Sequence, residues 1–449
     1  MSAHLPPTRP ASPDTAGAVD VAPSTAKMRK VALASFLGTV IEFYDFGIYA
    51  TAAALVFAHA FFPALGQQAG TVVSYATLGV AFVARPLGSV LFGHFGDRLG
   101  RKKTLIATMS LMGLATVLIG LLPTAASIGT LAPILLVVLR IAQGVAAGGE
   151  WAGAALFTSE HSPKARRGFW AMFTNLGGAF ANILALGTFL LTGLYMSDAT
   201  FAAWGWRLPF LISIVLVAVG LYVRLRIEET PVFQAAARQR QAGDALPFKE
   251  AIVHQWKEIL LGAGALVMAF SLGYVGIAFL TSYGTAALHL PRAQVLGAGM
   301  FGNLVNCLAI IAGGILTDRF GRRRVLLVAN VVGIPWALAL FPVLDTGTIG
   351  AFWLGESVTF LIAGVGFGVA GSFLSELFHT RYRYTAAGLS YSLAAVLGGA
   401  IPPLIAASLI GSYGSFVFGI FLAVYCLAGL LCTFALRETR HRDLTEEPA

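Results

Sequence analysis

Gly93-His-Phe-Gly-Asp97-Arg98-Leu-Gly100-Arg101-Lys102-Lys103 recurs in the second half of the chain as Gly314-Ile-Leu-Thr-Asp318-Arg319-Phe-Gly321-Arg322-Arg323-Arg324. Each copy closes one apolar run and opens the next, so each reads as the turn between two membrane helices, with its positive charge on one side of a bilayer. The glycines permit close helix approach and a tight turn. The aspartate is placed to cap or attract a neighbouring helix N-terminus, and the basic run suits lipid headgroups. Topology signalling alone explains the basic residues but not the fixed Gly and Asp spacing. We therefore assign a gating role to Gly93, Asp97, Arg98, Gly100 and Arg101 and to Asp318, Arg319, Gly321 and Arg322. A second echo, Ser159-Glu160 with Arg166-Arg167 against Ser375-Glu376 with Arg381 and Arg383, has an offset of 216 residues, close to the 221 separating Asp97 from Asp318. Two such echoes indicate a chain of two similar halves, a pattern common among transporters.

Composition agrees. Hydrophobic residues make up 57% and charged residues 11%, with a mean hydropathy of +0.78, whereas a soluble domain is about a quarter charged. The net charge of +9 does not point to nucleic acid, because the basic residues gather in short loops between apolar runs; an anionic leaflet is the better partner. Cys307, Cys426 and Cys432 lie inside apolar runs without paired spacing, so neither a disulfide framework nor a metal site is expected.

Spans need about 20 apolar residues each, and twelve windows fit: 31–58, 72–95, 104–123, 130–157, 169–195 and 206–226, then 258–287, 294–316, 325–344, 349–378, 385–410 and 413–436. This predicts an all-α membrane protein of twelve transmembrane helices in two six-helix bundles. The expected divisions are a disordered tail over 1–26, a first bundle over 27–227, a polar central loop over 228–256, a second bundle over 257–436 and a tail over 437–449. The tail lacks hydrophobic periodicity, and the apolar run after it outlasts a cleaved signal. Lys and Arg gather in alternate loops, Arg292 being the exception, so both termini are expected in the cytoplasm, the protein sitting in the cell (inner or plasma) membrane.

Charges inside the membrane are usually functional. Glu42, Asp45 and Tyr49 share one face of the first span, and Glu42 lies about 15 to 18 Å into it. Arg85 in span two and Arg140 in span four reach comparable depth, with Glu150 lower on span four. The second half offers Glu356 well inside a span, with Asn303, Asn306 and Tyr391 as polar candidates. Two acids and two arginines at similar depth suit a site for a charged solute and a proton, because a carboxylate between desolvation and a nearby Arg changes proton affinity as its surroundings change. We expect Tyr49, Arg85, Arg140, Asn303 and Tyr391 to bind solute and Glu42, Asp45 and Glu150 to couple protons. The alternative is a set of structural ion pairs holding the bundle together.

At these residues the sequence resembles the major facilitator superfamily, and within it the metabolite:proton symporter family. The narrower likeness rests on Gly38-Thr-Val-Ile-Glu42-Phe-Tyr-Asp45-Phe, Val83-Ala-Arg85-Pro86-Leu-Gly88, Arg140-Ile-Ala-Gln143-Gly144 leading to Gly148-Gly149-Glu150-Trp151, Trp204-Gly-Trp206-Arg207-Leu-Pro209-Phe and Glu229-Thr-Pro231-Val-Phe233. It is similar to the shikimate and organic-acid branch through Ile48-Tyr49-Ala50-Thr51-Ala52, but Gly47 stands where that branch usually places a tyrosine, which enlarges or reshapes the site. The resemblance implies two six-helix bundles around a central cavity, alternating access, a monomer, Glu42, Asp45, Arg85 and Arg140 lining the cavity, and an Arg101 to Glu160 pair when the cytoplasmic side is latched.

The expected activity is proton-coupled uptake of a small organic acid. A zwitterionic osmolyte such as proline or betaine is the sibling reading; the residues after Arg437 show no coiled-coil heptads of the kind osmosensing members carry. Efflux is disfavoured because Thr174-Asn-Leu-Gly-Gly-Ala179-Phe-Ala-Asn182 lacks the Gly-Pro antiporter signature. His-Glu-x-x-His, Gly-x-Ser-x-Gly and Gly-x-x-x-x-Gly-Lys-Ser/Thr are absent from the sequence, so neither an enzyme nor an ATP-driven pump is expected, and no cofactor.

Overall fold

A computed structural model describes residues 25–99, 101–226, 247–378, 383–440 and 442; the side chains of 26, 27, 67, 90, 93–99, 101–105, 198, 223–226 and 247–252 are outside that description. Eleven described helices are long and apolar enough to cross a membrane, and a shorter apolar helix joins them. In chain order they are α1 Met28–Phe61, α2 Gln68–Ser89, α3 Ile106–Leu121, α4 Leu131–His161, α5 Lys164–Leu194, α6 Gly205–Tyr222, α7 Val253–Leu280, α8 Arg292–Phe320, α9 Arg322–Leu344, α10 Ile349–Leu377, α11 Arg383–Tyr413 and α12 Ser415–Ala435. The fold is the expected all-helical membrane architecture of twelve helices in two six-helix bundles.

The bundles repeat one packing plan. α1 lies on α5, α2 on α4 and α3 on α6; correspondingly α7 lies on α11, α8 on α10 and α9 on α12. With no hydrophobic force between helices in lipid, close backbone approach decides these contacts. At Gly144 and Gly148 of α4, a side chain would collide with the backbone carbonyls of Ala81 and Arg85 on α2. In the second bundle Gly364 of α10 faces the Asn306 carbonyl of α8 in the same way, whereas one turn away the roles are exchanged and Gly302 on α8 makes room for Phe360 on α10. Both α1 and α7 include a wide π turn, Ala53–Phe57 and Val275–Leu280, and α4 breaks at Gly148 and Gly149 before resuming at Glu150.

The bundles meet where α5 packs on α8 and α2 on α11, and both ends of that seam are bridged. At the end bearing the second motif, Asp318 accepts the backbone N–H groups of Gly168 at 2.8 Å and Phe169 at 2.9 Å, at the start of α5. At the opposite end the Tyr75 hydroxyl donates to the Ala278 carbonyl at 3.2 Å, and the Arg292 guanidinium lies 4.1 Å over the Phe201 ring.

The segment expected as a polar central loop differs in part: 227–246 lies outside the described residues, but a helix runs from Pro247 and kinks at Gln255, within the first turn of α7. The tail over 1–26 also lies almost wholly outside the description.

Candidate functional site

The first bundle buries a connected polar chain. Arg140 on α4 is fully buried and donates through Nη1 to Gln143 Oε1 at 2.8 Å; Gln143 Nε2 donates to Thr116 Oγ1 at 2.6 Å; Thr116 Oγ1 donates to Asp45 Oδ2 at 2.7 Å. Every donor points toward Asp45, so the acid and the guanidinium are linked through two neutral side chains rather than by direct contact. Arg140 is further held by the carbonyls of Thr77 and Leu78 and stacks 3.7 Å over the Tyr49 ring, whose hydroxyl shares a 2.6 Å hydrogen bond with Thr77. These hydrogen bonds offset part of the cost of desolvating the guanidinium.

A second pair stands nearby. Arg85 Nη2 is 4.0 Å from Glu42 Oε1, with both side chains 3% exposed. Its guanidinium lies 4.3 Å over Phe46 and 5.0 Å over Phe82, an arrangement that stabilises a desolvated cation. Arg85 Nε and Nη2 make no hydrogen bond among the described residues. Glu150 is buried at the start of the second half of α4.

Between the bundles lies a narrow cavity of about 30 Å³ whose wall includes Phe43, Asn175, Asn182, Tyr274, Asn306 and Tyr391, drawn from both halves. That volume holds water rather than a metabolite, so the two halves are closed on one another here. Tyr391 donates to Asn175 Oδ1 at 3.2 Å, and Trp151 donates to the same oxygen at 3.3 Å while stacking on Tyr391 at 3.4 Å between ring centroids. The Asn175 amide donates across the seam to the Phe367 carbonyl at 2.8 Å. Of the residues expected to bind solute, Tyr391 lines this cavity. Glu42, Asp45, Tyr49, Arg85 and Arg140 are not among its lining residues and stand within the first bundle; Asn303 is fully buried, donating to Gly299 O. Gly47 marks a helix contact: a Cβ there would lie 2.7 Å from Asn182 Oδ1 and 2.9 Å from Ala185, so the glycine acts on the cavity by admitting Asn182.

Gln143, Thr116, Asn175, Asn182 and Tyr274 were not singled out from the sequence as site residues. Gln143 and Asn182 stand inside motifs that were legible; Thr116 is one threonine in an apolar run and offered no signal.

At the motif end, Glu376 is fully enclosed. Arg167 Nη1 reaches it at 2.8 Å, Arg322 at 2.9 Å and the Thr439 hydroxyl at 3.0 Å; Arg322 also lies 3.4 Å from Asp318. Gly321 takes φ +98°, where a side chain is strained, and Arg319 is exposed, its carbonyl accepting from Arg440. Glu160 pairs with Arg383 at 3.6 Å. Gly100 and the side chains of Gly93, Asp97, Arg98 and Arg101 lie outside the described residues, so the Arg101 to Glu160 pair is not addressed.

A family model described as sugar (and other) transporter matches residues 30–448, and the chain belongs to that family, within the major facilitator superfamily. It is 42% identical over 423 residues to the inner membrane metabolite transport protein YhjE of Escherichia coli K12, covering 92% of this chain and 95% of that one. It is 40% identical over 422 residues to the shikimate transporter of the same organism, covering 91% and 93%. A partially occluded inward open structure of the xylose transporter XylE from E. coli superposes with a TM-score of 0.70 at 16% identity, covering 94% of this chain and 100% of that one, a likeness of fold. The protein is thus a multi-pass membrane transporter and not an enzyme.

Proposed function

We propose that the protein imports a small organic acid by proton symport, working by alternating access with the Asp318 end and both termini facing the cytoplasm. The observation that carries this reading is the buried chain from Arg140 through Gln143 and Thr116 to Asp45, set beside the Arg85 and Glu42 pair and a two-bundle cavity. When Asp45 takes up a proton, its bond from Thr116 weakens and the charge balance with Arg140 changes, so protonation is coupled to the α1, α3 and α4 packing that shapes one side of the cavity. Arg85 supplies the cation for a carboxylate, its guanidinium turning from Glu42 as the solute enters; Asn175, Asn182 and Tyr391 supply hydrogen bonds from the wall. The similarity to the shikimate transporter supports a hydroxylated cyclic acid as the first solute to try. The test is uptake of labelled shikimate, other aromatic acids, citrate, proline and betaine into proteoliposomes with and without an inward proton gradient. Gradient-stimulated accumulation of one acid supports the reading; accumulation of only the zwitterions moves the protein to osmolyte import.

A further inference from the structure

The repeat has a fixed register that can be read from contacts. Ser159 meets Ser375 and Asn175 meets Tyr391, each pair 216 residues apart; Glu160 pairs with Arg383 and Glu376 with Arg167, and both the acids (160 to 376) and the arginines (167 to 383) differ by the same 216. Adding 216 along α4 carries Gly144 to Phe360, and adding the 221 of the loop motif carries Ala81 to Gly302. The contact of Gly144 with Ala81 is thereby repeated as that of Phe360 with Gly302. In this register Arg85 corresponds to Asn306, and Arg140 corresponds to Glu356. Gln143 corresponds to Thr359, which accepts a 3.0 Å bond from Trp336 on α9, next to Ala337, which stands at the place of Thr116.

Glu356 therefore occupies, in the second bundle, the place of the best-buried cation of the first, with the charge sign inverted. It is fully buried about 10 Å into α10 from the Arg292 end, packed beside Gly302 of α8. Neither carboxyl oxygen has a hydrogen-bond partner among the described residues. No described Lys, Arg, His, Asp or Glu of the packed helices pairs with it. α8 begins with Arg292, whose guanidinium lies over Phe201, carries Cys307, in one apolar cluster with Met172 of α5, and ends in Asp318 and Arg319; α7 offers Tyr274 at the cavity and Lys257 and Glu258 at the far end; α9 offers Arg322 to Arg324, α5 Arg167, α4 Glu160 and α11 Arg383, all at the far end, while Asp345 just beyond α9 is engaged by Tyr283 and Ser415. Acids retained at this depth in membrane proteins mark ion and proton paths.

We propose that Glu356 is a second proton-binding site, loaded from the Arg292 end and separate from Asp45. This deepens the proton-coupled reading above and rests on it for its consequence in transport. A purely structural acid would be permanently protonated, and glutamine would replace it without effect; a proton-exchanging one would not tolerate that change.

The test is infrared difference spectroscopy between acidic and neutral pH on the full chain in solute-free proteoliposomes. The expected result is a protonated-carboxyl band that changes with pH, is lost in Glu356→Gln and is retained in Asp45→Asn. A band unchanged in Glu356→Gln, or absence of any pH-dependent band that Asp45→Asn leaves in place, overturns the assignment. Should the glutamine variant fail to reconstitute, Glu356→Asp keeps the carboxyl and must displace the titration of that band; an undisplaced titration also overturns it. Because no solute is present, a titrating Glu356 in a protein without gradient-driven uptake would refute symport and leave this site standing, and the converse result would refute the site alone.

Discussion

Ser375 donates a 2.9 Å hydrogen bond to Ser159, its own equivalent in the repeat. Two equivalent residues touch only on the axis that relates the halves, and Asn175 and Tyr391 repeat the relationship at the cavity wall. The axis therefore runs from the cavity to the Asp318 end, and the alternating access proposed above requires Ser159 to separate from Ser375.

A disulfide across that axis will lock the protein. In Ser159→Cys/Ser375→Cys, oxidation is expected to stop uptake and a reductant to restore it, with neither single variant sensitive to oxidant. Uptake that continues in the crosslinked protein would show that this seam does not open.

Glu376→Gln removes the charge that Arg167 and Arg322 share. Breaking a buried pair by removing one partner destabilises by about 3 to 5 kcal/mol, here falling on the state in which the Asp318 end is closed. The expected outcome is faster alkylation of a cysteine placed at Ser375 and a lowered melting temperature; alkylation at the unaltered rate would contradict the latch.

Gln143→Leu leaves Arg140 Nη1 without its side-chain acceptor and Thr116 without its donor. An unsatisfied buried polar group costs about 1 to 3 kcal/mol, so a thermal shift of that order is expected together with a displaced pH profile of uptake. A lowered melting temperature with an unaltered pH profile would make Gln143 a packing residue only.

Glycine packing between α2 and α4 predicts a sharp contrast. Gly144→Ala drives a methyl into the Ala81 backbone and is expected to cost about 1 to 3 kcal/mol, whereas at Gly149 the nearest atom is Phe92 Cβ at 3.4 Å and alanine should be tolerated. Thermal unfolding of the two purified variants decides it.

The helices and their twofold repetition were legible because lipid imposes length and hydropathy on a span, and because loop charge and the Gly-Asp spacing recur. The acids and arginines of the first half announced themselves as charges in apolar runs. What pattern did not carry was which of them face the cavity: Arg140 and Asp45 turn inward to a relay whose central member, Thr116, is indistinguishable in sequence from any other helical threonine. The cavity wall is likewise built by asparagines and tyrosines from two halves whose approach depends on glycines such as Gly47, and tertiary contact of this kind has no local signature.

The most direct test of the central claim is labelled organic-acid uptake into proteoliposomes of the wild type and Asp45→Asn, with an imposed inward proton gradient and, separately, by counterflow without one. Gradient-driven accumulation is expected in the wild type only, with counterflow surviving in Asp45→Asn. Equal accumulation in both proteins would contradict Asp45 as the coupling acid.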